Sequence, residues 1–214
     1  NVEEINLHDN QLNTLLCKNK LWNYFKKVKK IDLSCNLIKK LYYNVNSMNI
    51  MTIFASQLTS IDLSNNLLTS LKGIEQCQQL IILKAKYNKI DDIASLSSLQ
   101  QLQELYLEGN NIMSIKDTLN TCHQLHTLSL QDQQYGKTYT NPICSDIEQY
   151  IKEIKQLKQL KQVDYLKKAT FITNQQEQLE EKRKVTIIEQ QEQQQEEDDN
   201  DDDDDDQQQD QVVK

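Results

Sequence analysis

The side chains that could carry out chemistry are few and scattered along this chain. His8, His123 and His126 lie in no pattern typical of nucleophilic catalysis. Only three glycines are present, one to a region, which excludes a glycine-rich phosphate-binding loop. We therefore predict that the protein is not an enzyme, and we expect neither a cofactor nor a metal site.

Cysteine chemistry is not indicated either. The cysteines form no Cys-x-x-Cys pair and no zinc-site spacing. Cys77 lies three residues before Leu80, and Cys122 lies three residues before Leu125, so both occupy one equivalent position in a repeated pattern. This regularity predicts small buried hydrophobic side chains in a reducing compartment. The cysteines are Cys17, Cys35, Cys77, Cys122 and Cys144.

The repeated pattern is a frame of leucines that contains an asparagine. Five segments read L-x-x-L-x-L-x-x-N-x-L, with valine, isoleucine or alanine in place of some leucines. Their asparagines are 26, 30, 22 and 22 residues apart. A sixth segment, from Leu125, keeps the apolar positions but has Gln133 in place of the asparagine. The five segments begin at Val2, Val28, Leu58, Leu80 and Leu102, and their asparagines are Asn10, Asn36, Asn66, Asn88 and Asn110.

Each repeat is expected to contain one short strand. Successive strand side chains face opposite sides, so Leu105 and Leu107 should point into a core while the residues between them point outward. The asparagine amide can bond backbone groups where the chain turns away from the strand. One repeat cannot bury its own apolar face, so neighbouring repeats should stack into a solenoid with a continuous core.

The outward residues of the stacked strands are the candidate functional site, because solenoids commonly bind partners on this concave face. Its mixed charges suit a protein partner better than a nucleic-acid backbone. Tyr106, a large amphipathic ring among small polar neighbours, is the predicted anchor. A solvated face without a partner is the alternative interpretation. The predicted binding residues are Asp32, Ser34, Asp62, Ser64, Lys84, Lys86, Tyr106, Glu108, Ser129 and Gln131.

The frame and its 22-residue period resemble those of leucine-rich-repeat proteins. Residues 1–133 are similar to about six repeats of the protein-phosphatase-1 regulator type, which also occurs in ciliary and axonemal proteins. The resemblance implies an α/β fold, a right-handed solenoid with parallel strands on its concave face. It further implies a cytoplasmic scaffold that binds a protein partner in phosphatase regulation or in the cilium.

A second motif follows the repeats. The segment from Asn141 to Leu166 resembles the C-terminal cap of this subfamily, and we predict a helical cap at 134–168. Its role is to cover the last apolar coil of the solenoid. The segment QDQQYGKTY before it is an insertion relative to the shortest form of the cap. The matching residues are Asn141, Pro142, Ile143, Tyr150, Ile154, Leu157, Leu160, Val163 and Asp164.

The composition changes towards the C-terminus. The first 188 residues carry 23 basic and 19 acidic side chains, whereas 13 acidic residues and no basic one lie between Glu189 and Asp210. Residues 169–195 are predicted to form a glutamine-rich charged helix or coil, of coiled-coil character. Residues 196–214 are predicted to form a disordered acidic tail, because this composition cannot bury enough apolar surface to offset chain entropy.

The acidic tail leaves a second functional hypothesis open. Capped repeats followed by an acidic tail also resemble the acidic nuclear phosphoproteins, which implies a nuclear chaperone or phosphatase inhibitor that binds basic proteins through its tail. No stretch approaches the roughly 18 apolar residues of a membrane span, so no membrane partner is expected. The chain begins without methionine and inside a repeat, so we expect it to be part of a longer protein.

Overall fold

In a computed structural model of the protein, eight short strands pair in the order in which they occur in the sequence. The structure describes residues 2–16, 25, 27–42, 50–132 and 140–206, with side chains up to residue 190. The strands are parallel up to β7, and β8 is antiparallel to β7. They are β1 (Glu4–Asn6), β2 (Lys30–Asp32), β3 (Ser60–Asp62), β4 (Ile82–Lys84), β5 (Glu104–Tyr106), β6 (Thr127–Ser129), β7 (Gln162–Val163) and β8 (Leu166–Lys167).

The core of the solenoid is a set of apolar columns in register. Ile31 pairs with Ile61, which pairs with Leu83, which in turn pairs with Leu105. This places one buried aliphatic side chain of each repeat directly against the next. The frame leucines Leu63, Leu83, Leu105, Leu107, Leu128 and Leu130 are all fully buried, which confirms the predicted core.

The connections between strands follow from the repeat lengths. The two 22-residue steps return through single 3-10 helices, Ile74–Gln76 and Ala94–Ser98. The longest step contains helix α1 (Ile50–Phe54), and the repeat after Asn110 contains helix α2 (Lys116–Leu119). Short connections suffice because each needs only to cover one coil of the core.

Two of the cysteines are part of the buried core. Cys77 and Cys122 are fully buried at equivalent positions, as the spacing predicts. Cys35 and Cys144 are only half-buried, and Cys17 lies outside the described residues. Burial, the larger cause, raises the pKa of Cys122 to about 11, so this thiol is a poor nucleophile at neutral pH.

The frame asparagines form a ladder of hydrogen bonds. Asn66 accepts a hydrogen bond from the amide of Ile38 at 3.0 Å and donates to the carbonyls of Leu33 and Leu63, each at 3.0 Å. Leu33 belongs to the preceding repeat and Leu63 to its own, so every such asparagine ties two coils together. The same pattern occurs at Asn36, Asn88 and Asn110.

The cap continues the ladder and covers the last coil. Asn141 accepts from the amide of Ile112 at 3.0 Å and donates to the carbonyls of Leu107 and Leu130 at 2.9 and 2.8 Å. It therefore takes the place that the sequence pattern assigns to Gln133, a residue outside the described ranges.

The cap also contains a helix that packs through an aromatic side chain. Helix α3 (Ile147–Gln156) follows the 3-10 helix Pro142–Cys144. The buried ring of Tyr150 on α3 packs edge-on against Phe171, with centroids 5.2 Å apart. A helical cap closes the solenoid, as predicted.

Helix α4 spans Lys168–Asp206; its residues up to Phe171 are counted with the compact unit Asn1–Phe171, and its later residues with the unit Ile172–Lys214. The helix extends to Asp206, and the disorder of residues 196–214 stays a prediction. Glutamine and glutamate have high helix propensity and no glycine or proline follows Pro142, which favours the helix over its glutamine-rich part. Residues 207–214 lie outside the described residues. Among the helices that are described, none is both long and apolar enough to cross a bilayer.

Candidate protein-binding face

The structure brings the predicted binding residues together as two columns on one side of the sheet. In the first column the residues pair in register from strand to strand. The second column lies two residues further along each chain segment and so faces the same side. The first column is Asp32, Asp62, Lys84, Tyr106 and Ser129, and the second is Ser34, Ser64, Lys86, Glu108 and Gln131.

The N-terminal half of this concave face is occupied by its own local bonds. The amide and hydroxyl of Ser34 donate to Asp32 Oδ1 at 2.9 and 2.6 Å, and the Ser64 amide donates to Asp62 Oδ1 at 2.9 Å. Lys84 Nζ lies 4.0 Å from Asp62 Oδ2 with its side chain 47% exposed. A solvated pair at this distance contributes little to stability, so Lys84 is available to a partner.

The C-terminal half of the face holds a cluster of four side chains, Lys86, Tyr106, Glu108 and Tyr165, which we call the tyrosine–lysine cluster. Lys86 Nζ lies 3.0 Å from Glu108 Oε1 and donates to the Tyr165 hydroxyl at 2.8 Å, and that hydroxyl donates to Glu108. The rings of Tyr106 and Tyr165 have their centroids 5.1 and 5.5 Å from Nζ, within the range of cation–π attraction. The cluster joins two repeats to the cap.

The charges of the cluster are fixed near neutral pH. Burial lowers the pKa of Lys86, but its hydrogen bonds to Tyr165 and Glu108 raise it by more, so the net change is upward. Burial, with a hydrogen bond from the hydroxyl to Glu104, raises the pKa of Tyr106 to about 12. The lysine is therefore cationic and the tyrosine neutral at pH 7.

Four predicted residues of the face are buried, namely Ser34, Ser64, Glu108 and Ser129, and the last two are the most completely buried. Glu108 and Ser129 are each only 1% exposed. Glu108 is held by Lys86 and Tyr165, and Ser129 is a small side chain beside the much larger Tyr106, its partner in register. Within the described part of the chain, Glu108 Oε2 and Ser129 Oγ have no hydrogen-bond partner.

The cap supplies one further residue to this face. Asp164 and Tyr165 both have positive φ, 47° and 67°, and this turn precedes β8. Asp164 Oδ1 accepts from the amides of Leu130 and Gln131 at 2.7 and 3.0 Å, and its Oδ2 accepts from the hydroxyl of Tyr150 at 2.6 Å. A buried carboxylate thus fixes the turn that presents Tyr165.

We expect the substitution Asp164→Asn to change how stability depends on pH. Burial raises the pKa of Asp164, although the bonds from Tyr150, Leu130 and Gln131 lower it in part. A pKa raised in the folded state means that folding favours the proton. This contribution to stability is complete below the unfolded pKa and is lost as pH rises through the folded pKa.

Urea unfolding of both proteins at several pH values between about pH 3 and pH 7 would measure this difference. The free energy of unfolding of the wild type, relative to that of Asp164→Asn, should fall as pH rises. Asp146→Asn makes the same carboxylate-to-amide change at an exposed N-cap of α3 that asparagine can also occupy, and it is the control. Parallel profiles for wild type and Asp164→Asn would contradict the raised pKa.

Sequence reasoning missed Tyr165 as a member of the site. The cap motif includes Asp164, and a bulky aromatic residue directly after it was the available signal. This signal did not predict the contact between Tyr165 and Lys86, because the two residues are 79 positions apart and meet only once the cap has folded back on the sheet.

The histidines take no part in a catalytic or metal site that the structure describes. His8 Nδ1 lies 2.7 Å from Ser34 Oγ, and His126 Nδ1 lies 3.0 Å from the neighbouring Thr127 hydroxyl. Over the described ranges, no three or more histidine, cysteine, aspartate and glutamate side chains are grouped so that they could hold a metal ion.

Known structures share this architecture. A chain of the Drosophila melanogaster SNF/U2A' complex is similar with a TM-score of 0.53 and 24% identity, covering 69% of this chain and 79% of that chain. A leucine-rich-repeat protein of Leptospira interrogans has a TM-score of 0.49 and 26% identity, covering 70% of this chain and 34% of that chain. The first of these supports the fold, a solenoid of leucine-rich repeats.

Sequence comparison identifies the family. A family model described as leucine-rich repeat and WD repeat-containing protein 1, LRR, matches residues 47–187. The Mus musculus protein of that name is 34% identical over 98 residues, which are 46% of this chain and 14% of the mouse protein. Leucine-rich-repeat domains are typically non-enzymatic modules of protein–protein interaction. The chain belongs to the leucine-rich-repeat family of leucine-rich repeat and WD repeat-containing protein 1.

Proposed function

We propose that this chain is a protein-interaction module whose concave face binds a partner protein at the tyrosine–lysine cluster. The observation that carries the proposal is the ordered group formed by Tyr106, Lys86, Glu108 and Tyr165. Tyr165 is 48% exposed, and it is held by two charge-assisted hydrogen bonds. The Tyr106 ring beside it is held by the bond from its hydroxyl to Glu104 Oε2 at 2.9 Å, and a large ring that is already fixed loses little conformational entropy on binding, which favours such a residue as an interface anchor.

The surrounding charges favour a protein over a nucleic acid. Asp32 and Asp62 lie at one end of the face, Lys84 follows them, and Glu108 lies beyond. A phosphate backbone requires several cations in a row and is repelled by intervening carboxylates. A protein with charges of matching sign can pair with such a face and gain specificity from it.

The cellular setting of the module follows from its partner. A cytoplasmic scaffold in the cilium or in phosphatase regulation is the first setting that we propose, on the basis of the resemblance of the repeats. The alternative is a nuclear protein that binds basic partners through the acidic segment from Glu189 to Asp210.

A binding experiment separates these two modes. Affinity capture and mass spectrometry would provide a candidate partner, and the purified candidate would be titrated against the full chain by calorimetry. We expect Tyr106→Ala with Lys84→Glu to weaken the Kd by about 100-fold, since a central aromatic and a charge reversal can each cost about 1–2 kcal/mol. Removal of residues 189–214 should leave the Kd within about threefold.

A matched control lies elsewhere on the molecule. Lys72 Nζ lies 5.4 Å from the ring centroid of Tyr42, so Tyr42→Ala with Lys72→Glu removes the same residue types away from the concave face. This control should bind normally. If instead deletion of residues 189–214 abolishes binding and added salt weakens it steeply, the tail is the binding element and the concave-face proposal is wrong.

A further inference from the structure

The concave face contains two buried acceptors that nothing in the described chain satisfies. Glu108 Oε2 and Ser129 Oγ have no hydrogen-bond partner, and both side chains are 1% exposed. Leaving a polar group in this state is unfavourable, and more so for a charged group. Buried polar groups in native proteins are nearly always bonded, so each exception calls for an explanation.

The two acceptors belong to one patch. Ser129 on β6 pairs in register with Tyr106 on β5, and Glu108 lies two residues beyond Tyr106 on the same side. Side chains in this diagonal relation are within reach of one long side chain. The rings of Tyr106 and Tyr165 flank the same place, since both lie near Lys86 Nζ.

The patch contains charges of both signs, the Glu108 carboxylate and the Lys86 ammonium that is paired with it. Burial raises the pKa of the Tyr87 hydroxyl, and the carboxylates of Asp132 and Glu108 raise it further. Glu108 also opposes ionisation of Asp164, whose pKa is raised mainly by burial. Lys86 contacts Glu108 through Oε1, so it leaves the second oxygen of that carboxylate to another donor.

We infer that this patch receives a cationic side chain of the partner protein, an arginine whose guanidinium donates to Glu108 Oε2 and Ser129 Oγ while it stacks on a tyrosine ring. The inference rests on the proposed function, and it names the chemistry that the partner must present. Arginine fits better than lysine because its planar group carries several donors in a fixed fork and stacks on aromatic faces. An ammonium is a single point charge, and Lys86 already supplies one to this carboxylate.

The partner's arginine can reach these two acceptors only if one side chain of the patch moves. Both acceptor atoms are closed to solvent in the free chain. Tyr165 contacts Glu108 and is 48% exposed, so it can rotate outward without opening the core. In the complex the Tyr165 ring would cover the guanidinium. The cation–π contact of this ring with Lys86 would then be replaced by one with the partner's arginine.

The test uses the full chain and a defined probe. A tripeptide, acetyl-Gly-Arg-Gly-amide, would be titrated while the backbone amide signals of Glu108 and Ser129 are followed by NMR. Its citrulline counterpart has the same shape without the charge and is the control. We expect saturable shifts at these two amides with arginine and at least fivefold weaker binding with citrulline. Equal shifts with both peptides, or none, would overturn the inference.

The variant Ser129→Ala gives a second and sharper readout. Removing an unsatisfied buried hydroxyl should raise the Tm by a few degrees, about 2–4 °C. If the Ser129 hydroxyl bonds the partner's arginine, the same variant should also raise the Kd of the arginine peptide by at least threefold. Ser34→Ala removes a hydroxyl on the same face that is bonded to Asp32, so it should lower the Tm and leave peptide binding unchanged.

These results also distinguish the inference from the proposal beneath it. If a partner protein needs Tyr106 and Lys84 but binds Ser129→Ala and Glu108→Gln as tightly as wild type, the concave face binds without an arginine, and only the inference fails. If the arginine peptide binds at Ser129 but the partner tolerates the loss of Tyr106 and Lys84, the proposed function fails instead.

Discussion

Asn141→Ala should destabilise the solenoid by about 3–5 kcal/mol. The side chain is completely buried and is bonded to the Ile112 amide and to the carbonyls of Leu107 and Leu130. Alanine would leave the Ile112 amide and the Leu130 carbonyl without these partners inside the core, at a cost of about 1–3 kcal/mol each, whereas the Leu107 carbonyl keeps its bond from Asn110 at 2.9 Å. Urea unfolding followed by circular dichroism would measure the loss.

The first repeat provides the matched control. Asn10 holds the same frame position, but it is exposed and bonds only the nearby carbonyls of Leu7 and His8. Water can replace those bonds, so Asn10→Ala should cost no more than about 1 kcal/mol. If the two substitutions cost the same, Asn141 is not a true member of the ladder.

Ending the chain at Asp132 should abolish cooperative unfolding. This truncation removes the whole cap and exposes Leu128 and Leu130, which are fully buried in the intact chain. It also removes Asp164, whose carboxylate satisfies the amides of Leu130 and Gln131. An uncovered apolar coil at the end of a solenoid leads to fraying and association, because terminal repeats need a polar outer face.

Light scattering and thermal unfolding would measure this effect. Ending the chain after Thr173 keeps the cap and its Tyr150–Phe171 contact, so this control should stay monodisperse and unfold in a single transition. A truncation at Asp132 that remains soluble and equally stable would show that the cap is dispensable.

The solenoid was predictable because its signal is local and repeated. The frame leucines recur at fixed spacing, and stacking them in register requires no knowledge of distant contacts. The same periodicity correctly placed Asp32, Asp62, Lys84, Tyr106 and Ser129 in one column. The repeated leucine pattern predicts which side of the strand a residue faces, and this was enough to predict which residues share a column.

The fine structure of the face was not predictable, because it depends on the neighbours of each residue. Alternation assigns Glu108 to the outward side correctly, but its burial comes from Lys86 one repeat earlier and from Tyr165 in the cap. Similarly, nothing in the pattern assigns Asn141 to the ladder position that Gln133 occupies in the sequence frame. These contacts join segments that only the folded chain brings together.

The backbone conformation before each ladder asparagine was also not anticipated. Its φ is positive at five successive repeats although only one residue there is a glycine, and the values are 52° at Asp9, 56° at Cys35, 55° at Asn65, 52° at Tyr87 and 67° at Gly109. Aspartate, asparagine and glycine are the residue types that adopt this conformation most readily, but Cys35 and Tyr87 are not, so residue type alone would not suggest it at every repeat. The turn is set by the ladder bonds that follow it.

The use of Asn141 in the ladder has a practical consequence for redesign of this scaffold. In the earlier repeats, the asparagine follows its own frame carbonyl by three residues, whereas Asn141 follows Leu130 by eleven. The bonds are the same, so they do not limit how much chain separates the two ends. A redesigned solenoid can therefore take a ladder asparagine from well beyond its last strand, provided that the amide reaches the same two carbonyls and the same backbone amide.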